Sequence, residues 1–563
     1  MRLLARSLAL LVAATPAAAQ TWRSDAPVPS ALVGFGSAIV LSGGDLYVGR
    51  TGAVPGFPLN PSRTGAIHVF RPAGGTWNEV AQVAPADLEL GDGFGTALAV
   101  DGTVMAVGAP RQGAGAVYLF EQRGGTWAPA GKLIREGTAS DGFGEALVLK
   151  GNLLVVSAPG RDSARGEVFA YRRAASGAWD AGTRIGAGTE VNGRFGAAIA
   201  MDADRVLVGV PGPGIFGGPF GGGARPQPGA AILYRAAGGQ WTEEKRLTVG
   251  ADTTAAFGAA VHLAGGEAFV GAPLGGRAAG AVYQFRQADG WAMAGKITAA
   301  TPQPGTGFGM TLGRAGSALL VGAQIASEGA GAVFVMEPGA AGWIEKQRLA
   351  GKAANPQVMF GAAIAATADL AVIGGPMADF FEGIGYVFGR DPATGEWRER
   401  GTVVDKPAAL AAITGGEQKC GEGKVGEFPC ERVDLLSFLP NDQLGAKRGI
   451  MLNDIWGWTD PETNREYALV GRMDGTAFVD ITDPSNPRYL GELPLHQGAT
   501  PNIWRDIKTY KNHAFIVSDG AGPHGVQVFD LTRLRNVMNA PVTFTEDAHY
   551  DRIASAHNIA INE

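Results

Sequence analysis

The dipeptide Phe-Gly returns seven times, at Phe35, Phe94, Phe143, Phe195, Phe257, Phe308 and Phe360, at intervals of 59, 49, 52, 62, 51 and 52 residues. A tryptophan follows each copy, at Trp77, Trp127, Trp179, Trp241, Trp291, Trp343 and Trp397. Between them lie a VGAP-like stretch (107–110, 156–159, 208–211, 270–273) and a GAVYxF-like stretch (115–120, 280–285, 331–335). A four-part unit at a period near fifty residues is an array of one supersecondary element, because a single copy cannot bury its own apolar faces.

Each part reads as a strand. Phe94 and Gly95 lead into TALAV, the turn Asp101-Gly102 and then VMAVG. Ala116 begins a β-branched and aromatic run, and Gly124-Gly125 turn the chain into the strand of Trp127. Four antiparallel strands in seven copies predict an all-β, seven-bladed β-propeller over 20–403. The repeated phenylalanines and tryptophans are then expected in the core between blades. Glycine, 87 of 563 residues, fits many tight turns, and the lack of a Gly-X-Y period excludes collagen. A chain that is 46% hydrophobic and 18% charged is not a disordered one. Its formal charge of −6 argues against nucleic acid as a partner.

In a four-stranded meander the first and third turns share one edge of the sheet, and the second turn shares the other with the connection to the next blade. The tight turns fall on the first edge. The long insertions (50–64, 212–228 and 377–383) fall on the second and carry Phe57, Phe216, Phe220, Phe380 and Phe381. Aromatic residues on loops of one face suit a partner-binding surface. Closure leaves two choices, since a strand at Trp22 or the strand of Trp397 could complete the last blade.

The FG, VGAP and GAVYxF pattern resembles the FG-GAP repeat of integrin α-chain propellers and bacterial surface proteins, over about 22–403. Calcium-binding members carry an Asp-x-Asp-x-Asp-Gly-type loop between the first two strands. Here that place holds Ser42-Gly43-Gly44-Asp45, Asp101-Gly102, Lys150-Gly151-Asn152 or Asp202-Ala203-Asp204. These offer too few carboxylates for a calcium cage, so no calcium is expected in these blades.

Arg2 and Arg6, the apolar run 8–14 and the alanines 17–19 form a secretory signal over 1–19, with cleavage expected between Ala19 and Gln20. No later run reaches the ~18 apolar residues of a membrane span. The mature chain is therefore expected to be secreted, periplasmic or at the cell surface. Its two cysteines, Cys420 and Cys430, read as one disulfide in an oxidising compartment.

Composition changes after Val404. Residues 404–433 read as a linker that ends in the disulfide loop, and five of the seven histidines lie in the final 68 residues. A second repeat follows: 467–494 and 513–535 each read as strand, turn, strand, with Asp480 and Asp530 fifty residues apart. Short strands at 453–455, 505–507 and 557–559 precede successive copies. The pattern resembles the LVIVD repeat. More closely, DLLSFLP, LNDIWGWTDPET, DGTAFVDITDP, HAFIVSDGAG and SAHNIAINE resemble the choice-of-anchor B family over about 420–563. That resemblance implies an extracellular β-propeller held by an anchor that differs among members, with no established activity. The 130 residues from 434 supply about two and a half blades of this kind. Residues 434–563 are therefore expected to be the N-terminal part of a propeller, truncated before its anchor.

No Gly-x-Ser-x-Gly elbow, P-loop or His-Glu-x-x-His motif is present. Asp454, Asp506 and His557 each begin the first strand of a successive C-terminal blade. First strands line a propeller channel, so these three form a candidate site for a divalent metal or other ligand at its mouth. The leading expectation is a binding module for an extracellular protein or glycan. A metal-dependent hydrolase or oxidoreductase at that channel mouth and a structural envelope component are the rivals.

Overall fold

The computed structural model describes residues 34–52, 63–212, 229–250, 256–353, 355, 357–406, 410–426 and 428–562. The expected cleavage site at Ala19 and Gln20, Trp22, and the loop residues Phe57, Phe216 and Phe220 lie outside the described residues.

The chain is all-β. Each Phe-Gly leads into a four-stranded antiparallel sheet whose strands pair in chain order, consistent with the blades of a β-propeller. The first consists of Phe35–Ser42, Asp45–Arg50, Ala66–Ala73 and Thr76–Val83. The last of this series consists of Ile364–Ala366, Leu370–Gly375, Ile384–Arg390 and Trp397–Val403. Its outer position is thus filled by the Trp397 strand.

Burial explains the sequence of each strand. The second strands are buried along their middles, and Val104–Ala109 and Leu153–Ala158 at every residue, because neighbouring sheets cover both faces. They read as unbroken apolar runs. The fourth strands, such as Gly342–Leu349, alternate with solvent because they lie outermost. Every sheet of the series also carries a bulge where the third strand meets the fourth. It falls between Val69 and Phe70 in the first sheet and between Val387 and Phe388 in the last. The extra residue on the outer strand increases the local twist.

The Phe-Gly phenylalanines are all within 1% of complete burial, which meets the expectation for core residues. Each packs edge-on against an aromatic of its own third strand, as Phe94 does on Tyr118 and Phe360 on Tyr386. The tryptophans are more varied: Trp127, Trp291 and Trp397 are buried, whereas Trp77, Trp179, Trp241 and Trp343 are only half-buried. They stand on or just before the outer strands and lean back over the preceding sheet. Trp343, for example, sets its ring edge-on to Phe269 and donates to Gln284 Oε1 at 3.0 Å.

The glycines of the repeat mark where sheets touch. A Cβ on Gly115 would lie 2.2 Å from the Phe143 carbonyl oxygen of the next sheet, and one on Gly108 would lie 2.0 Å from that of Gly144. The same contacts carry the last sheet back to the first, where a Cβ on Gly374 would lie 2.0 Å from the Gly36 oxygen. That seam also holds a buried ion cluster. Asp405 Oδ2 accepts from Arg50 (2.7 Å) and Arg63 (3.0 Å), and Arg63 also donates to Glu382 (3.0 Å). Asp405, within the stretch expected to be a linker, is therefore fixed beneath the seam, 3% exposed.

Cys420 and Cys430 form the expected disulfide, with Cα atoms 5.8 Å apart. Two sheets follow. The first consists of Leu452–Thr459, Glu466–Arg472, Gly475–Asp480 and Arg488–Pro494, with Val542–Thr543 added in parallel. The second consists of Arg505–Tyr510, His513–Ser518, Val526–Asp530 and Ala548–Tyr550. Residues 557–559, expected as a strand, are not one. Phe478 and Phe529 stack, and Phe544 meets both edge-on, at the heart of the core that both sheets share.

Candidate functional site

The second turn of four sheets has one unusual backbone. In the turns Arg161–Ala164, Gly275–Ala278, Ala326–Gly329 and Ala378–Phe381, the two middle residues both adopt left-handed conformations. Outside glycine this costs about 1–3 kcal/mol per residue, and it persists only where surrounding structure enforces it. The enforcement comes from the chain entering the next sheet. Asn192 N donates to Ser163 O, Gly305 N to Arg277 O and Gly34 N to Phe381 O. These bonds put the second turns and the inter-sheet connections on one edge, as the meander requires.

Asp162, Ser163, Arg277, Ser327 and Glu328 project from three of these turns into solvent. The fourth is covered. Phe380, expected as an exposed aromatic for an outside partner, is 7% exposed and packs against Ile450 and Met473. Phe381 is half-buried. The cause of this correction is the C-terminal part of the same chain. Arg448 pairs with Asp379 at 3.0 Å and donates to the carbonyl oxygens of Glu382 (3.1 Å) and Gly383 (2.9 Å).

Asp454 and Asp506 occupy equivalent places on the first strands of the two C-terminal sheets, as their spacing implies. Each spends a carboxylate oxygen on the backbone of the following repeat. Asp454 accepts from Ile507 N at 2.9 Å, and Asp506 accepts from Ile559 N at 2.7 Å. Burial raises the pKa of Asp506, but hydrogen bonds from Lys508 and Ile559 N outweigh it and hold the carboxyl below its usual range. His557 is exposed and bonds Asp519 through Nδ1 at 2.9 Å. The two aspartates therefore tie one repeat to the next.

A different group of ligand-type side chains meets between the two C-terminal sheets. Among the described residues, one nitrogen each from His496 and His549 and one carboxylate oxygen of Glu546 lie within 4.8 Å of one another. His496 follows the strand Arg488–Pro494. Glu546 and His549 come from the segment that adds a strand to the first sheet and then joins the second. His496 Nδ1 is 2.6 Å from Glu546 Oε1, and the two imidazoles stack with centroids 3.5 Å apart. His549 Nε2 donates to the His524 carbonyl oxygen at 2.8 Å. Gln527, 1% exposed, donates to Glu546 Oε2 at 2.9 Å.

Behind this group lie Arg505 and His524, both buried. Burial, and then the neighbouring Arg505 charge, push His524 down to about 4, so its ring is neutral at physiological pH. Burial likewise pulls Arg505 down to about 10. His524 Nε2 accepts from Arg505 Nη1 at 3.3 Å and its Nδ1 donates to Gly525 O at 3.1 Å. The sequence signal for this cluster was available: His496 and Glu546 stand fifty residues apart, the same repeat interval that separates Asp480 from Asp530.

Among the described residues no helix is long and apolar enough to cross a membrane. No curated protein matches the chain. A solved structure named as a 6-phosphogluconolactonase, from Bacteroides uniformis ATCC 8492, is similar with 13% identity and a TM-score of 0.44, over 60% of this chain and 92% of that one. Residues 77–120 match the FG-GAP repeat, the family that the Phe-Gly pattern resembles.

Proposed function

We propose that this is an exported, surface-associated binding protein whose Phe-Gly sheets close as a seven-bladed propeller over 20–403. In this reading the edge formed by the second turns engages an extracellular protein or glycan. Residues 404–433 connect this ring to 434–563, which form blades of an LVIVD-type propeller of the choice-of-anchor B kind. The Cys420–Cys430 disulfide fits an oxidising, extracellular setting.

One observation carries the reading. The turn at Asp379 and Phe380 already seats a folded segment through one arginine and one apolar contact. The turns at Asp162, Arg277 and Glu328 share its rigid backbone and remain exposed. A rigid turn loses little conformational freedom when it is engaged, which favours binding.

The test uses the chain from residue 20, screened on a glycan array and crosslinked to surfaces of its source cells. The triple variant D162A/R277A/E328A should lose at least about tenfold in affinity for whatever is bound, since truncating central contacts costs more than ~1.4 kcal/mol. Undiminished binding by the folded variant, or no binding by the parent chain, overturns the proposal.

A further inference from the structure

We infer that His496, His549 and Glu546 hold a divalent transition-metal ion of the zinc class, with a coordination position left open to solvent. The donor set carries the first part of the argument. Two imidazoles and one carboxylate form a three-ligand set suited to zinc, and their candidate atoms already lie within 4.8 Å of one another. No cysteine competes, since both are in the disulfide.

The supporting shell carries the second part. A metal-bound histidine almost always gives its other ring N–H to a carbonyl or carboxylate. His549 does this, with Nε2 donating to His524 O, which leaves Nδ1 with a free lone pair. Glu546 is likewise steadied at Oε2 by Gln527 Nε2. The third observation is independent of the cluster itself. Gln527 is 1% exposed, yet among the described residues its Oε1 has no hydrogen-bond partner. Buried acceptors are rarely left unmade, and a metal-bound water beside Glu546 would supply the missing donor.

The stacked rings set a condition. Two imidazoles stacked with planes that differ by 4° hold their lone pairs in separate, parallel planes that share no common point. Binding therefore requires one ring to turn. His496 and Glu546 are each about one quarter exposed, which gives room for that motion and leaves the open position accessible. The site shares no residue with the loop edge or with Asp454, Asp506 and His557, so either can fail without the other.

The experiment uses the tag-free chain from residue 20, stripped with chelator and dialysed against zinc alone. One equivalent of retained zinc is expected, with binding weakened at least about a hundredfold in H549A. Q527L should weaken it by about ten- to a hundredfold, as loss of a supporting residue does. D506A should leave it unchanged. Cobalt(II) added to the unmutated protein should give visible absorption bands of a low-coordinate N,O site, a readout that does not depend on a variant folding. Absence of retained zinc and of those bands overturns the inference, as does zinc binding that survives H549A.

Discussion

The Phe35 carbonyl oxygen stands 2.1 Å from where a Cβ on Gly383 would be. These residues lie at opposite ends of the Phe-Gly series, so their approach is the point at which the last sheet meets the first. Gly383 also has φ +78°, which an L side chain rarely adopts. Replacing it with alanine combines backbone strain with a clash against main chain that cannot move aside. G383A is expected to destabilise the N-terminal sheets by at least about 2 kcal/mol. Urea denaturation followed by tryptophan fluorescence measures it. A midpoint equal to that of the parent would show that the seam at Phe35 yields easily.

Arg448 fastens the C-terminal part to the turn at Asp379. Its guanidinium makes three charge-assisted contacts there, to Asp379, Glu382 O and Gly383 O. R448A should cost about 1.5–3 kcal/mol of docking energy, raising the undocked population about ten- to a hundredfold. Faster proteolysis between 405 and 450 and a larger radius of gyration in X-ray scattering are the expected readouts. Stability of the N-terminal sheets should not change.

Asp460 and Arg535 join the two C-terminal sheets by a paired contact, with Nε and Nη2 of the arginine 2.8 and 2.7 Å from the two carboxylate oxygens. The hydrogen bonds from Arg535 hold the Asp460 carboxyl down at about 2. A depressed acid stabilises the fold in its ionised form. That stability is complete above the unfolded value near 3.8 and is lost as the pH falls through about 2. D460N should therefore be less stable than the parent by roughly 1.5–3 kcal/mol at pH 7, with the gap closing between pH 4 and pH 2. Denaturation midpoints for both proteins across that range check the sign.

Much of the N-terminal architecture was legible because its glycines and phenylalanines act at close backbone approaches, where no other residue type fits. Gly115, Gly383 and Phe94 leave the same trace in every copy. The recurrent bulge left none, since it is a property of register and is compatible with Val80 in one copy and Lys346 in another. Phe380 was read as free because a loop aromatic looks the same whether an outside protein or a distant part of its own chain covers it. The spacing of Asp454 and Asp506 correctly placed them at equivalent positions. It could not show that their oxygens face the backbone of the next repeat. The fifty-residue interval between His496 and Glu546 marks them as equivalent positions, but it does not show that the strand Val542–Thr543 reaches back to an earlier sheet and brings Glu546 and His549 against His496.

The matched stretch 77–120 begins on the outer strand of one sheet and ends on the third strand of the next. The unit written in the sequence is thus a junction, with the outer strand of one sheet on one side and three strands of the next on the other. Duplication or loss of one such unit transfers an intact junction, complete with the phenylalanine that fills it. Repeat number can therefore drift without ever exposing an unfinished interface.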